Sequence, residues 1–225
     1  MNVRYLGHSS FWVASSKGSS AILDPFSQRI PYSLPALEPD VVLVSHEHHD
    51  HNAYYRFPNN PMLLKRSHDY PMESEINIES TGEKLTFYGL PTFHDDQLGR
   101  KRGPNTVWHW FWEGIHFAHF GDIGHLLTDE QLTALGKVDV IFLPVGGKET
   151  LDPSTATIFV NQLDPRIVFP MHYHTEEMAD SPLTEFPLSA FTDKMNNVEE
   201  ATTMAVEIEL ARLPAQTKVI CLKHG

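Results

Sequence analysis

His46-Glu47-His48-His49-Asp50-His51 stands directly behind the apolar run Val41-Val42-Leu43-Val44, and its reading governs the rest of the chain. The pattern is His-x-His-x-Asp-His. At the His and Asp frequencies of this sequence, chance would produce it about 0.003 times in a chain of this length. The apolar run before it suits a strand covered on both faces. A tight loop leaving such a strand can turn His46 and His48 toward one cation, and Asp50 and His51 toward a second a few ångströms away. Neutral imidazole and carboxylate suit zinc, and also iron or manganese. A solvated polar loop is the bland alternative, but it offers no packing reason for this run.

Two cations need more ligands than one loop carries, and further candidates close other apolar runs. His94 ends Gly89-Leu90-Pro91-Thr92-Phe93-His94, Asp122 ends Phe120-Gly121-Asp122, and His172 ends Phe169-Pro170-Met171-His172. Singly each is weak; together, four ligand-bearing segments at strand exits point to one shared rim of a sheet sandwich. The sequence holds 14 histidines, far more than a core needs.

Working outward, strands are expected at Val3–Leu6, Phe11–Ala14, Ala21–Leu23, Met62–Leu64, Leu85–Leu90, Thr106–Trp112, Ile115–Phe120, Val138–Val145, Ile167–Pro170 and Val219–Leu222. Glu113-Gly114 between two aromatic-rich runs suggests a hairpin. Helices are expected over Thr128–Leu135, with Thr128 as cap and a stop at Gly136, and over Pro153–Leu163, opened by Asp152. A third is expected over Phe191–Asn197, and the stretches Arg29–Asp40 and Asp180–Pro187 read as surface loops. No repeat or domain linker is visible, so residues 1–225 read as a single α/β (α+β) domain of two sheets flanked by helices. Trp108, Trp110 and Trp112 alternate and share one strand face, for packing or for a subunit contact; exposed, they would argue for a homo-oligomer.

Composition narrows the classes. Lys and Arg number 17 against 29 Asp and Glu, giving −12 at pH 7, which argues against bulk phosphate binding and hence against a nucleic acid partner. One cysteine, Cys221, excludes an internal disulfide and any multi-cysteine metal cage. Met1–Ser10 lacks a basic n-region and an apolar h-region, and nowhere do 18 apolar residues run together. The expectation is a cytoplasmic protein without a membrane span.

These residues resemble the metallo-β-lactamase superfamily over nearly the whole chain, and most of all its compact bacterial metal-dependent hydrolases that include ascorbate-6-phosphate lactonase-like members. The matching pieces are Gly7-His8-Ser9-Ser10-Phe11, Leu23-Asp24-Pro25, the six-residue motif, His94-Asp95, Arg102-Gly103-Pro104-Asn105, His119-Phe120-Gly121-Asp122, Leu143-Pro144-Val145-Gly146-Gly147 and Pro170-Met171-His172-Tyr173. The resemblance implies a four-layer αββα sandwich. It implies that His46, His48 and His94 hold one metal, that Asp50, His51 and His172 hold a second, and that Asp122 bridges them.

Two such ions, Zn2+ in first place with Mn2+ or Fe as alternatives, would share a hydroxide that attacks a carbonyl carbon or phosphorus. Asp50 and Asp122 are then the catalytic carboxylates, with Asp50 a candidate proton acceptor. The reading is a hydrolase of a small ester, lactone or phosphoester; a superfamily nuclease or phosphodiesterase, a diiron redox enzyme and a non-enzymatic metal-binding or sensing module are the alternatives. His8, Asp24 and Asp95 are candidates to orient ligands, and His174 and His125 candidates to reach a substrate as acid. Arg100, Lys101 and Arg102 form a basic loop that would guide an anionic small-molecule substrate, or is simply solvated. Gly146-Gly147 would let backbone amides approach an anion, or is a plain tight turn.

Overall fold

The computed structural model describes residues 1–65, 72–148 and 150–224. Along the chain come β1 (Asn2–Gly7), β2 (Ser10–Ala14), β3 (Ser20–Leu23), β4 (Val41–Val44), β5 (Met62–Lys65), β6 (Met72–Ile78), β7 (Glu83–Phe93), β8 (Pro104–Trp112) and β9 (Ile115–His119). Then follow α1 (Asp129–Leu135), β10 (Val140–Pro144), α2 (Pro153–Leu163), β11 (Ile167–Met171), α3 (Ser189–Thr192), β12 (Val198–Glu200), β13 (Ala205–Glu207) and β14 (Lys218–Cys221). They form a six-stranded sheet, β13-β1-β2-β3-β4-β5, and an eight-stranded sheet, β12-β14-β11-β10-β9-β8-β7-β6.

Strand direction places the chemistry. β3, β4 and β5 are parallel, and the antiparallel run β1-β2-β3 gives β1 the same direction. In the second sheet β9, β10 and β11 are parallel, and β7, two antiparallel steps from β9, runs with them. The exits of β1, β3, β4, β7, β9, β10 and β11 therefore converge on one rim, the edge where open sheets hold their ligands.

The inner faces pack Phe11 of the first sheet on Phe142 and Phe169 of the second, with Trp108, Trp110 and Trp112 all buried between the sheets. Trp108 Nε1–H donates across to the Val44 carbonyl at 2.9 Å. With these rings buried, the argument for a subunit contact through them falls away. β8 and β9 close on Glu113-Gly114, both at positive φ (50° and 78°), in the left-handed pair that matches hairpin twist. Thr128 caps α1 in a reciprocal box with Gln131, and Asp152 caps α2 through the Ser154 and Thr155 amides.

Four features depart from the sequence reading. β6 is an additional edge strand whose Ile76 and Ile78 face inward while Glu73, Glu75 and Asn77 alternate outward; its polar half hid it. β12 and β13 are three-residue edge strands with little apolar content. The third helix is one turn, Ser189–Thr192, earlier and shorter than Phe191–Asn197. The Arg29–Asp40 loop is more than surface: Ile30 and Tyr32, with Leu34 and Leu37, pack on Ile22, Val42 and Val44 in a second small core. Loop thus covers the outer face of the first sheet, where the sandwich plan would put helix. Among the described residues no helix is long and apolar enough to cross a membrane.

Candidate metal centre

At the shared rim two groups of ligand atoms gather. His46, His48 and His94 bring three imidazole nitrogens within 4.8 Å of one another, and His8, Asp50, His51 and His172 form a second group by the same measure. Asp122 lies between them. Its Oδ2 is 3.1 Å from His94 Nε2 and 3.8 Å from His46 Nε2 on one side, and 3.2 Å from His51 Nε2 and 3.3 Å from His172 Nε2 on the other.

The support beneath is a buried network centred on Asp24, itself at positive φ (40°). Asp24 accepts from the Ser45 amide (2.7 Å), Ser45 Oγ (2.6 Å), His51 Nδ1 (3.0 Å) and His119 Nε2 (2.8 Å). A carboxylate only accepts, so each of those atoms carries the proton. Ser45 has spent its hydrogen on Asp24, and its oxygen accepts from His46 Nδ1 at 2.9 Å. Both His46 and His51 therefore hold a proton on Nδ1 and turn Nε2 toward Asp122, the usual way a carboxylate or hydroxyl fixes a metal-binding imidazole. Burial pushes Asp24 up, but the imidazoles of His119 and His51 outweigh it and hold the carboxyl well below its ordinary range.

Other residues fix the remaining candidate ligands. Asn105 Oδ1 accepts the Asp122 amide at 3.1 Å while its Nδ2 donates to the Phe120 carbonyl, locking the turn after β9. Gly121 in that turn has φ 53°, and a side chain there would collide with Asn105 and Ser45. His8 O accepts the His172 amide at 2.8 Å, tying the exits of β1 and β11. His8 Nε2–H donates to Asp50 Oδ2 at 3.0 Å. Burial and the neighbouring His172 bring His8 down to about 4, so it is neutral at physiological pH.

The donor set fits divalent cations. Buried His46 Nε2, His51 Nε2 and Asp122 Oδ1 make no hydrogen bond, and buried polar atoms without a partner are costly unless something else satisfies them. His51 is pushed well above the usual imidazole range because Asp122 and Asp50 overcome its burial, and His94 is raised by Asp122 in the same way. The centre thus demands positive charge, and a cation bound there would replace those protons. Imidazole and carboxylate donors suit zinc, iron or manganese.

A cleft of about 290 Å³ opens onto both groups, lined by His48, Asp50, His94, Asp122 and His172, with Arg102 and Lys148 as cations and Pro182 and Leu183 as an apolar wall. Arg102 reaches it; Arg100 does not line it. Asp95 is no partner of the ligand imidazoles. Its oxygens accept the amides of Gln97, Gly99, Lys101 and Arg102 at 2.8–2.9 Å, and so build the basic loop. His174 bonds Thr184 through Nδ1 and does not line the cleft. His125 accepts the Phe93 amide and faces the Leu126 carbonyl, a structural tie. The Gly147 amide is spent on the Leu151 carbonyl, so it is not offered to an anion. Sequence reasoning missed Ser45 and Lys148. Ser45 adjoins the motif, and a hydroxyl beside a ligand His was the available signal.

This fold and rim define a class. Residues 2–172 match the Beta-lactamase superfamily domain, and the chain belongs to that family. A UPF0173 metal-dependent hydrolase of Desulforamulus reducens is 30% identical over 92% of this chain and 96% of its own length. A solved Thermotoga maritima protein, assigned as a Zn-dependent hydrolase of the metallo-β-lactamase superfamily, superposes with TM-score 0.73 at 27% identity, covering 100% of this chain and 99% of its own. Igni18, a metallo hydrolase of Ignicoccus hospitalis, shares the fold at TM-score 0.66 and 21% identity, covering 100% of this chain and 95% of its own.

Proposed function

We propose that the chain is a dinuclear metal-dependent hydrolase of a small ester, lactone or phosphoester. One observation carries the reading: a single oxygen of Asp122 lies within 4 Å of four imidazole nitrogens, two from each group. His46, His48 and His94 would hold one cation, Asp50, His51 and His172 the other, with Asp122 shared. Two cations there, Zn2+ first and Mn2+ or iron on the same donors, supply Lewis acidity and water that ionises near neutral pH.

The chain's own residues do the rest. Asp24, Ser45 and Asn105 fix tautomers and loop positions before substrate arrives, so little reorganisation is needed on binding. Asp50 faces the cleft with Oδ2 held by His8 Nε2–H, and its Oδ1 takes the proton of the attacking water. Pro182 and Leu183 give the cleft an apolar wall on one side. The small cleft and the −12 charge favour a small molecule over a nucleic acid strand. An open cleft beside both groups also favours turnover over a closed structural or sensing site.

The test is elemental analysis of protein purified without chelator, paired with a panel of aryl esters, lactones and phosphodiesters. About two cations per chain, with hydrolysis that metal removal abolishes and reconstitution restores, supports the reading. Metal well below one per chain after reconstitution overturns it.

A further inference from the structure

Lys148 stands on the turn leaving β10, in a conformation that side chains avoid. Its φ is 64°, directly after Gly147 at 69°. A lysine in the left-handed region is strained and persists only where the surroundings enforce it. Here they do. Gly146 lies so close to the backbone of His172 and Tyr173 that any side chain would collide, and Gly147 is packed on the Phe186 ring. The Gly146 carbonyl accepts the amides of Glu185 and Phe186. The Gly147 carbonyl accepts both the amide and the hydroxyl of Thr150. A turn pinned at so many points against the segment carrying His172 delivers the Lys148 side chain to the lip of the metal cleft.

A second cation arrives from another loop. The four amides gathered by Asp95 fold residues 97–102 into a tight knot, with Leu98 (φ 58°), Gly99 (77°) and Gly103 (92°) all left-handed. The Gly103 carbonyl accepts the His94 amide, so this knot is anchored on the metal rim itself, and Arg102 lines the same cleft as Lys148. In a protein of net charge −12, two built loops bring a lysine and an arginine to one small cleft.

We propose that Lys148, with Arg102, recognises an anionic group on the substrate, a carboxylate or a phosphate, so that the enzyme prefers small esters or lactones carrying a free acid group. This rests on the hydrolytic reading of the cleft. Arginine offers two parallel donors to either oxyanion and lysine a compact point charge, a pairing that suits both. The apolar wall of Pro182 and Leu183 is left for the carbon skeleton.

Three aryl acetates that share one scaffold test it on the metal-loaded protein: phenyl acetate, 4-acetoxybenzoate and 4-acetoxyphenyl phosphate. Their comparison separates a neutral ester from the two anions, and the anions from each other. The variants are Lys148→Asn, chosen because asparagine tolerates left-handed backbone, and Arg102→Gln, with Lys17→Gln as a remote control. The expected result is a tenfold or greater preference in kcat/KM for at least one anionic ester over phenyl acetate. Lys148→Asn lowers that ratio at least fivefold, Arg102→Gln lowers it less or equally, and Lys17→Gln leaves it unchanged. Calorimetric binding of 4-hydroxybenzoate and 4-hydroxyphenyl phosphate gives a readout without turnover. If none of the esters is hydrolysed, the hydrolytic reading fails, and binding weakened at least fivefold by Lys148→Asn still sustains the anion site. An unchanged ester ratio, or anion binding equal in wild type and Lys148→Asn, overturns the proposal.

Discussion

Replacing Asp24 by asparagine changes almost no volume and inverts the logic of the network beneath the metal rim. The carboxylate faces four donors: the Ser45 amide, Ser45 Oγ–H, His51 Nδ1–H and His119 Nε2–H. An amide offers one accepting oxygen and one donating nitrogen, so in either orientation it sets N–H against a donor. If the oxygen stays with the Ser45 amide, the nitrogen meets both imidazoles. His51 escapes by keeping its proton on Nε2, which removes the lone pair that nitrogen would offer a cation. Each hydrogen bond to a charged group contributes about 1.5–3 kcal/mol, and breaking a buried charged network by one partner costs about 3–5 kcal/mol. For a chain of this size each kcal/mol shifts Tm by about 2–4 °C, so Asp24→Asn should lower Tm by about 6–20 °C. Loss of the orienting partner should also weaken cation binding about 10–100-fold. Calorimetric scans and competition with a chromophoric chelator measure the two effects. A variant with Tm within about 2 °C of wild type and cation affinity within about threefold would refute the claim that Asp24 sets the imidazole tautomers.

Three further outcomes follow from particular contacts. Gly146→Ala should displace the segment bearing His172, because its side chain would strike the His172 carbonyl; about half the bound metal should be lost, read by elemental analysis. Trp108→Phe should cost about 1–2 kcal/mol more than Trp110→Phe, since of this pair the Trp108 indole donates a hydrogen bond whereas Trp110 Nε1 is buried without one; urea midpoints at fixed pH compare them. His109, against Tyr88 and His116 in a hollow also lined by Glu73 and Lys137, is brought from 6.5 to about 4 by burial and by His116. The unfolded chain therefore binds this proton more readily, and stability falls as pH drops from about 6.5 to 4. The loss is at most about 3.5 kcal/mol at roughly 1.4 per unit. His109→Gln should flatten that part of the profile, measured in chelator so that metal release does not intrude.

The parts of the site legible in the sequence are those whose neighbours in space are also neighbours in the chain. His46 to His51 lie on one loop, and their spacing alone groups them. His94, Asp122 and His172 were legible one step further out, because each closes an apolar run and strand exits gather on one rim. Asp24 and Asp95 show where this stops. Both are acids just beyond a strand, both were read as supports for metal ligands, and their buried carboxylates both accept four donors. Asp24 sits where the two sheets meet, so its donors come from Ser45, His51 and His119, as much as 95 residues away. Asp95 sits where the chain turns back on itself, and its donors are the next few amides. Local pattern cannot separate these cases, because the difference lies in what the opposite sheet presents. Lys148 is the same lesson in reverse. A charged residue after two glycines reads as an ordinary turn, and only the contact of Gly146 with His172 turns it toward the chemistry. Side chains set by their own loop can thus be found from spacing, while those set by a second sheet are found by asking which buried donor or acceptor would otherwise be left unmatched.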